Sequence, residues 1–381
     1  MLLLTALACL IWCYLLLGHG RFWHSGPELA PGVSAPVSAA PEVAIVVPAR
    51  DEAPFIEGTL RSLLAQDYPG ACRIILVDDG SSDGTGAIAR ALTPAPGPAH
   101  RPDLTVLTGA PRPAGWSGKL WAVAQGVAEA RDAELILLTD ADIIHLPGHL
   151  AALVAQQRKT GCDMVSEMVA LRCQSLAEQT LVPAFVFFFQ LLYPFCWVND
   201  SQRPTAAAAG GTILLRRQAL TRIGGIEAVR GKLIDDVALA AAVKQGGRIW
   251  LGHSTMARSV RPYPAFADIW RMVARTAYVQ LRYSPLLLLG TTLGMALIWL
   301  LPPAAALLGH GAVGWGGLVA WAMLSASYLP TLHRYQRSPF WAPFLPLVAA
   351  FYMAATLGSA ADHYRGRGVA WKGRAYQGAG G

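Results

Sequence analysis

Two aspartates separated by one residue, Asp140 and Asp142, end the apolar run LILLTDAD at residues 135–142. Like charges this close raise each other's pKa, so the pair is unfavourable unless a cation lies between them. Mg²⁺ and Mn²⁺ prefer carboxylate oxygens and often share them with substrate phosphates. The pair is therefore interpreted as a metal site for a diphosphate, with turn-forming or helix-capping aspartates as the alternative.

A second acidic segment, VDDGSSDGT at 77–85, joins a strand end to a turn. Its aspartates either accept hydrogen bonds from a nucleobase or ribose, or satisfy the backbone N–H groups of an Asx-type turn. Lys119, in GWSGKLWA, stands where a helix begins. A lysine beside free backbone N–H groups suits a phosphate or a nucleobase carbonyl, although a solvated lysine fits the pattern equally well.

A second acidic pair, Asp235 and Asp236 in GKLIDDVALA, lies at the expected start of a helix. The pair either caps that helix, which stabilises it by about 1 kcal/mol, or supplies a general base. Gly210 and Gly211 precede a strand and allow the backbone to approach a ligand closely.

His145 and His149 are four residues apart, a spacing that places two histidines on one face of a helix. Pro147 and Gly148 lie between them and argue against a regular helix there. A metal site at these histidines is therefore not predicted.

The elements that position these groups alternate between strand and helix. Apolar strand patterns occur in VAIVVPARDE, RIILVDDGSSDGT, DLTVLTG and AELILLTDAD, and helical spacing in EGTLRSLLAQ and KLWAVAQGVAEA. This alternation predicts an α/β fold with a largely parallel sheet under helices. The ligand in such a sheet binds at the carboxyl ends of the strands, where the acidic clusters fall.

Composition indicates that part of the chain lies in a membrane. Of 381 residues, 54% are hydrophobic and 14% are charged, against a usual charged share of about 25%. The net charge of +7 suits an anionic membrane surface. No dense Lys/Arg run with interleaved aromatic residues is present, so a nucleic-acid partner is not predicted.

The apolar stretches predict several membrane segments. Residues 1–20 carry no charge and Arg21 follows them, which predicts an uncleaved anchor with its C-terminal side in the cytoplasm. Residues 181–198 are interpreted as a helix that lies on the membrane or lines an acceptor groove. The predicted organisation is a transmembrane anchor at 1–20, a linker at 21–42, a catalytic domain at 43–260, an interfacial amphipathic helix at 261–284, a C-terminal transmembrane region at 285–361 and a basic tail at 362–381.

The amphipathic helix is predicted from FADIWRMVARTAYVQLRY, in which apolar residues recur every four positions and Arg271 and Arg275 fall on another face. A helix packed on its own domain is the alternative. An interfacial helix would hold the active site at the bilayer surface.

The number of crossings in 285–361 stays open. Three crossings after a cytoplasmic domain would place the basic tail outside, against the positive-inside rule. An even number, with 339–361 re-entrant or interfacial, would resolve this conflict. That stretch begins with three prolines, Pro339, Pro343 and Pro346, so a span, a kinked span and a re-entrant helix all fit.

Together these motifs resemble the family 2 glycosyltransferases, which have the GT-A fold, a Rossmann-like, mixed and mostly parallel sheet. VVPARDE resembles the family's nucleotide strand, VDDGSSDGT its uridine-binding turn and DAD its Asp-x-Asp metal motif. DDVAL resembles its Glu-Asp-x-x-Leu motif with Asp235 in place of Glu, and VQLRYS a degenerate Gln-x-x-Arg-Trp with Tyr283 in place of Trp. The resemblance covers roughly 43–285.

Two features narrow the resemblance. VAWKGRAY, at 369–376, is similar to the tail of membrane glycosyltransferases that act on isoprenoid and ceramide lipids. The whole chain is most similar to the hopene-associated glycosyltransferases of bacterial hopanoid gene clusters.

The resemblance implies a role for each matching residue. It places Pro48, Glu52 and Asp79 at the base and ribose with Lys119 nearby, Asp142 on the metal, and Asp140 on the nucleotide or the metal. It implies three catalytic residues: Asp236 as the base for the acceptor hydroxyl, Asp235, whose shorter side chain in place of Glu could alter acceptor contacts, and Arg282, which faces the leaving diphosphate. Mg²⁺ and Mn²⁺ both fit the metal site.

The predicted function is transfer of a sugar, with inversion, from a nucleotide-diphosphate donor, a UDP-sugar by resemblance, to a membrane lipid such as a hopanoid or another isoprenoid. The predicted location is the bacterial inner membrane, with several crossings and a cytoplasmic catalytic domain. A processive polysaccharide synthase and a non-catalytic membrane scaffold are the alternatives. The sequence does not identify the sugar, the acceptor or the oligomeric state.

Overall fold

The computed structural model describes residues 1–31, 40–93, 102–366, 370–371 and 374–375. The chain forms two compact units. The sheet unit comprises Pro27–Arg172, Trp197–Arg261 and Ala370–Gly381, and the helical unit comprises Met1–Gly26, Cys173–Cys196 and Pro262–Val369. The sheet unit contains most of the predicted catalytic domain, whereas its residues 173–196 belong to the helical unit. Residues 32–39 of the predicted linker and half of the VAWKGRAY motif lie outside the described residues.

The sheet unit is built on eight strands. They are β1 (Val43–Ala49), β2 (Cys72–Asp78), β3 (Asp103–Thr108), β4 (Leu135–Thr139), β5 (Ile143–His145), β6 (Met164–Ala170), β7 (Thr212–Arg216) and β8 (Ile249–Ser259), while β9 (Ala370–Trp371) and β10 (Arg374–Ala375) form a separate pair. The order in the sheet is β3-β2-β1-β4-β7-β6-β8-β5.

Parallel pairing dominates the half of the sheet around β1. β1 pairs in parallel with β2 and β4, and β2 pairs in parallel with β3. β6 and β8 are also parallel, whereas β7 runs antiparallel to β4 and β6. The predicted mixed, mostly parallel α/β sheet is confirmed.

The helices of the two units, in chain order, are α1 (Leu2–Leu17), α2 (Ala53–Leu64), α3 (Thr85–Ala91), α4 (Gly118–Glu129), α5 (His149–Thr160), α6 (Leu176–Leu192), α7 (Phe195–Val198), α8 (Arg217–Arg222), α9 (Asp235–Lys244), α10 (Phe266–Ala274), α11 (Ala277–Gln280), α12 (Pro285–Met295), α13 (Leu301–Leu308), α14 (Gly311–Arg334) and α15 (Leu345–Tyr364). A π-helical turn, Ala296–Leu300, joins α12 to α13, and a 3₁₀ segment, Pro339–Phe344, precedes α15.

Helices cover both faces of the sheet because β1 is apolar on both faces. All seven residues of β1 are buried, and alternate residues of a strand point to opposite faces. Ile45 lies in one core cluster with Leu60 of α2, and Ala44 lies in another with Ala122 of α4. A Cβ on Gly126 would lie 2.4 Å from Val46 Cγ1, so this glycine allows α4 to pack closely on β1.

The strand register brings the predicted site residues to one edge of the sheet. Ala49 at the end of β1 is paired with Asp78 at the end of β2, and Val46 with Leu138 of β4. Asp79 follows the last residue of β2 and Asp140 follows Thr139, the last residue of β4. Both therefore leave the sheet at the same edge, as expected for parallel strands.

The helical unit contains the apolar helices. Residues Pro285–Leu308, Gly311–Arg334 and Pro339–Tyr364 are each long and apolar enough to cross a membrane. The predicted anchor forms α1, a shorter apolar helix of 16 residues. In place of one amphipathic helix over 261–284, the structure has α10 and α11, because the helix breaks at Arg275 and Thr276.

Candidate active site

A pocket of about 380 Å³, counted with its open mouth, lies at the carboxyl ends of β1 and β4. Five of the predicted site residues line it: Pro48, Lys119, Asp140, Asp235 and Asp236. These residues come from segments of the chain far apart in sequence. The tertiary structure therefore brings together three of the polar clusters that the sequence showed separately.

Lys119 is positioned by the first turn of α4. The Ser117 hydroxyl caps this helix by accepting the Leu120 N–H at 3.2 Å, an interaction that stabilises helix starts. Lys119 Nζ then lies 2.9 Å from Asp140 Oδ1 and 3.7 Å from Asp235 Oδ2. Burial opposes the charge of Lys119, but the two carboxylates raise its pKa above the ordinary value, so the ammonium stays charged.

Asp236 is held in the first turn of α9. Its Oδ2 accepts the Gly210 N–H at 2.9 Å, and its Oδ1 accepts the Val237 N–H at 2.8 Å. Burial and the neighbouring Asp235 raise the pKa of Asp236 to about 7, although Lys119 and the two N–H groups act in the opposite direction. A carboxyl group with this pKa is suited to accept a proton near neutral pH.

Asp142 lies at the same edge but contacts another cation. Arg261, which follows β8, donates from Nε to Asp142 Oδ2 at 2.8 Å and from Nη2 to Glu52 at 2.7 Å. The guanidinium also lies 5.1 Å from the centroid of the Phe55 ring. Burial raises the pKa of Asp142 and Arg261 opposes this. Sequence reasoning missed Arg261, because it matches no motif; its place after a strand was the only signal.

Asp79 follows β2 and is buried. Its N–H donates to Ala49 O at 2.9 Å, and Arg50 Nη1 lies 3.8 Å from its Oδ2. The neighbouring Asp78 accepts the Ser81 N–H at 2.9 Å, as in an Asx-type turn. In VDDGSSDGT, therefore, Asp78 supports the turn, and Asp79 lies at the sheet edge where a nucleotide was predicted.

The Asp140–Asp142 pair has the chemistry of a divalent-metal site, but its two carboxylates contact Lys119 and Arg261. Within the described ranges, no three His, Cys, Asp or Glu side chains are grouped as a metal site. Two carboxylates nevertheless suit Mg²⁺ or Mn²⁺, since these ions complete their shells with water and phosphate oxygens. The metal role of Asp140 and Asp142 stays a prediction.

Arg282 belongs to the helical unit, in the turn after α11. Arg282 and Tyr283 adopt left-handed backbone conformations, with φ of 52° and 55°. Tyr283 stacks on His363 with ring centroids 4.5 Å apart. The predicted role of Arg282 at the leaving diphosphate stays a prediction.

This mixed sheet, with acidic groups and a lysine at the carboxyl edge of its strands, has the architecture of the GT-A fold. The structure is similar to that of the mannosyltransferase PcManGT from Pyrobaculum calidifontis, solved in complex with GDP-Man and Mn²⁺. The TM-score is 0.51 at 20% sequence identity, and the similarity covers 94% of this chain and 99% of PcManGT. The predicted GT-A fold is confirmed.

The model of glycosyl transferase family 21 matches residues 3–381, and the chain belongs to this family. A relative in Bacillus subtilis (strain 168), the probable glycosyltransferase YdaM, is 26% identical over 242 residues. The match covers 62% of this chain and 52% of YdaM, about half the length of that relative. The predicted enzyme class, a glycosyltransferase, is confirmed. The matching family is family 21, whereas the motifs resembled family 2.

Proposed function

We propose that the protein transfers a sugar from a nucleotide-diphosphate sugar to the hydroxyl group of a membrane lipid, with inversion at the anomeric carbon. The observation that carries this proposal is Asp236, whose pKa is raised to about 7 in a pocket that also contains Lys119 and Asp140. The pocket thus combines a base with a cation at the ligand-binding edge of the sheet.

Asp236 acts as the base. An alcohol is a weak nucleophile, so a carboxylate within hydrogen-bond reach takes its proton while the new C–O bond forms. The bond between the anomeric carbon and the diphosphate oxygen breaks in the same step, and the diphosphate leaves with the electron pair. Attack opposite the leaving group inverts the anomeric centre, so an α-linked donor gives a β-linked product.

The donor lies along the carboxyl ends of β1, β2 and β4. Pro48, Glu52 and Asp79 shape the base and ribose site, and Lys119 lies near the phosphates. The complex of PcManGT with GDP-Man and Mn²⁺ supports a nucleotide-sugar donor and a divalent ion in this chain as well. Asp140 and Asp142 would hold that ion, which neutralises charge on the leaving diphosphate when bound.

The acceptor is a membrane lipid, with a hopanoid or another isoprenoid as the class that the sequence resemblance favours. Three helices long and apolar enough to span a membrane support this proposal. The amphipathic α10 adds a basic residue, Arg271, and the exposed Phe266. A helix of this pattern lies at a membrane surface, where the head group of a lipid is accessible.

We propose two crossings between residues 285 and 334. α13 and α14 run antiparallel, and Gly317 of α14 packs so closely on α13 that a Cβ would lie 2.4 Å from Ala306 N. Pro285 and Arg334 therefore lie on the same side of the membrane. Arg334 Nε also donates to Ser25 Oγ at 2.9 Å. This contact supports a position for the segment after α1 on the same side of the membrane as Arg334.

We propose that 335–364 is re-entrant. Trp321 donates to Pro343 O at 2.9 Å, and Trp321 lies 13 residues before the end of α14, about 20 Å along the axis. The chain thus enters the membrane to mid-depth before α15 begins. At the other end of α15, the Tyr364 hydroxyl lies 2.8 Å from that of Tyr278, which precedes α12. Arg365 then lies on the same side as Arg334, in agreement with the positive-inside rule.

The experiment is a transfer assay with the full chain in lipid nanodiscs that contain extracted bacterial lipids. UDP-sugars and GDP-sugars labelled in the sugar are supplied with Mg²⁺ or Mn²⁺, and mass spectrometry follows the glycolipid. Asp236→Asn should abolish product formation and leave donor binding nearly intact. Full transfer by this variant would overturn the proposed base. Products longer than one sugar would favour a processive synthase.

A further inference from the structure

Four polar side chains form a continuous hydrogen-bonded chain inside the sheet unit: Thr139, His145, His149 and Glu167. Their exposed fractions are 1%, 3%, 0% and 0%. Glu167 Oε1 lies 2.6 Å from His149 Nε2, His149 Nδ1 lies 2.9 Å from His145 Nδ1, and His145 Nε2 lies 3.2 Å from Thr139 Oγ1. We call this set the buried polar chain. No metal role is predicted for the two histidines, and the proposed function does not use them.

The direction of the hydrogen bonds follows from the last link. The Thr139 hydroxyl donates to Gly211 O at 2.8 Å, so its oxygen accepts from His145 Nε2–H. Burial and the adjacent His149 lower the pKa of His145, which leaves its Nδ1 as an acceptor for His149 Nδ1–H. His149 Nε2 then pairs with Glu167 Oε1.

The buried polar chain ends beside the proposed base. Gly211 O, which accepts from Thr139, also accepts the Asp140 N–H at 3.4 Å. The preceding residue, Gly210, donates its N–H to Asp236 Oδ2. Two consecutive glycines have wide backbone freedom. The Ser166 hydroxyl holds the flanking Ala209 and Thr212, and the bonds to Gly211 O hold the glycines themselves.

A purely structural role accounts poorly for this arrangement. Burying several polar groups costs free energy unless each is paired. Glu167 Oε2 has no hydrogen-bond partner among the residues that the structure describes. Apolar side chains of similar volume would pack the same space without this cost.

We propose that Thr139, His145, His149 and Glu167 are positioning residues that fix the Gly210–Gly211 segment, so that the Gly210 N–H stays on the Asp236 carboxylate. This inference rests on the proposed function of Asp236. The measurement that tests it is the acid limb of the pH–rate profile, the pH range in which the rate falls as Asp236 is protonated. The groups that face Asp236 are Asp235, Lys119, Asp140 and the N–H groups of Val237 and Gly210. Both N–H groups lower the pKa of Asp236.

The test uses a residue that does not line the pocket, Glu167. Glu167→Leu removes the carboxylate that pairs with His149 at the end of the buried polar chain, and Glu167→Gln retains a hydrogen-bond donor to His149. We expect Glu167→Leu to lower kcat about tenfold per folded molecule and to move the acid limb to higher pH, with donor Kd nearly unchanged. Glu167→Gln should retain the wild-type acid limb.

A second pair of variants tests the same proposal in case Glu167→Leu does not fold. Thr139→Val removes the hydroxyl at similar volume, and Thr139→Ser retains it. Thr139→Val should shift the acid limb upward and Thr139→Ser should restore it. The inference would be overturned if every folded variant in which the buried polar chain is broken kept the acid limb of the wild type. Asp236→Asn, measured alongside, separates the two proposals, because its full activity would overturn the base instead.

Discussion

Arg261 Nε lies 2.8 Å from Asp142 Oδ2, so a guanidinium occupies one side of the carboxylate that was predicted to bind the metal. The same guanidinium holds Glu52. It therefore reduces the repulsion among acidic groups that would otherwise raise the pKa of Asp142 further. A bound divalent ion would perform the same electrostatic task.

Arg261→Gln should lower the stability of the metal-free protein by roughly 1–3 kcal/mol, because buried acidic groups lose their cation. Mn²⁺ should then raise the melting temperature of the variant more than that of the wild type, since the ion replaces the guanidinium. Thermal unfolding with and without Mn²⁺ measures both effects. Arg222→Gln, which removes a more exposed pair with Asp163, is the matched control. Equal Mn²⁺ responses in all three proteins would contradict the prediction.

Asp236 should set the acid limb of kcat/KM. A base must be ionised to accept a proton, so the rate should fall as pH decreases through the Asp236 pKa of about 7. Above the Asp236 pKa, Asp236→Asn should reduce kcat about 10²–10⁴-fold, and the difference from the wild type should shrink as the pH falls. Exposed Asp67 does not line the pocket, and Asp67→Asn should retain the wild-type profile. A profile that is flat from pH 5 to 8 in the wild type would be incompatible with this base.

Removal of the positive charge at Lys119 should move the acid limb to higher pH. Lys119 lowers the pKa of Asp236, and the neutral Lys119→Met loses this effect. The variant should also bind the nucleotide sugar more weakly, because a cation near the phosphates is lost. Lys119→Arg retains the charge and should stay closer to the wild type. The pH–rate profile and calorimetric donor binding are the two measurements.

Asp235→Asn should have the opposite effect on pH dependence. Asp235 raises the pKa of Asp236 by repulsion between like charges. Its neutralisation should therefore shift the acid limb to lower pH, with activity retained. An upward shift would contradict this coupling, and loss of activity at all pH values with donor binding intact would instead assign the proton transfer to Asp235.

The proposed re-entrant segment predicts the side on which single cysteines are labelled by a membrane-impermeant maleimide. In a cysteine-free background, Arg337→Cys and Arg365→Cys should be labelled from the same side, and His310→Cys from the opposite side. A third full crossing over 339–364 would place position 365 with position 310. Unsealed vesicles, in which all three positions react, provide the control for reactivity.

The sequence by itself determined four of the eight strands of the sheet, β1 to β4, and the polar groups at their ends. Continuous apolar runs define strands such as β1, which is buried throughout. Acidic residues that directly follow β2 and β4 must meet at one edge, because parallel strands in one sheet end together. Asp79 and Asp140 could be selected on this basis alone, whereas Lys119 and Asp236 were selected from their positions at expected helix starts and from the family resemblance.

Only the tertiary structure decided which cation each acidic group contacts. Strand order depends on packing between segments that are distant in the chain, which local patterns do not encode. β8 ends where Arg261 can reach both Asp142 and Glu52, and no motif marks this arginine. The hydrogen bond between His149 and Glu167 likewise joins a helix to a strand, and no sequence pattern predicts it. The proposed re-entrant depth of 335–364 is argued from contacts between helices, whereas hydropathy records only length and composition.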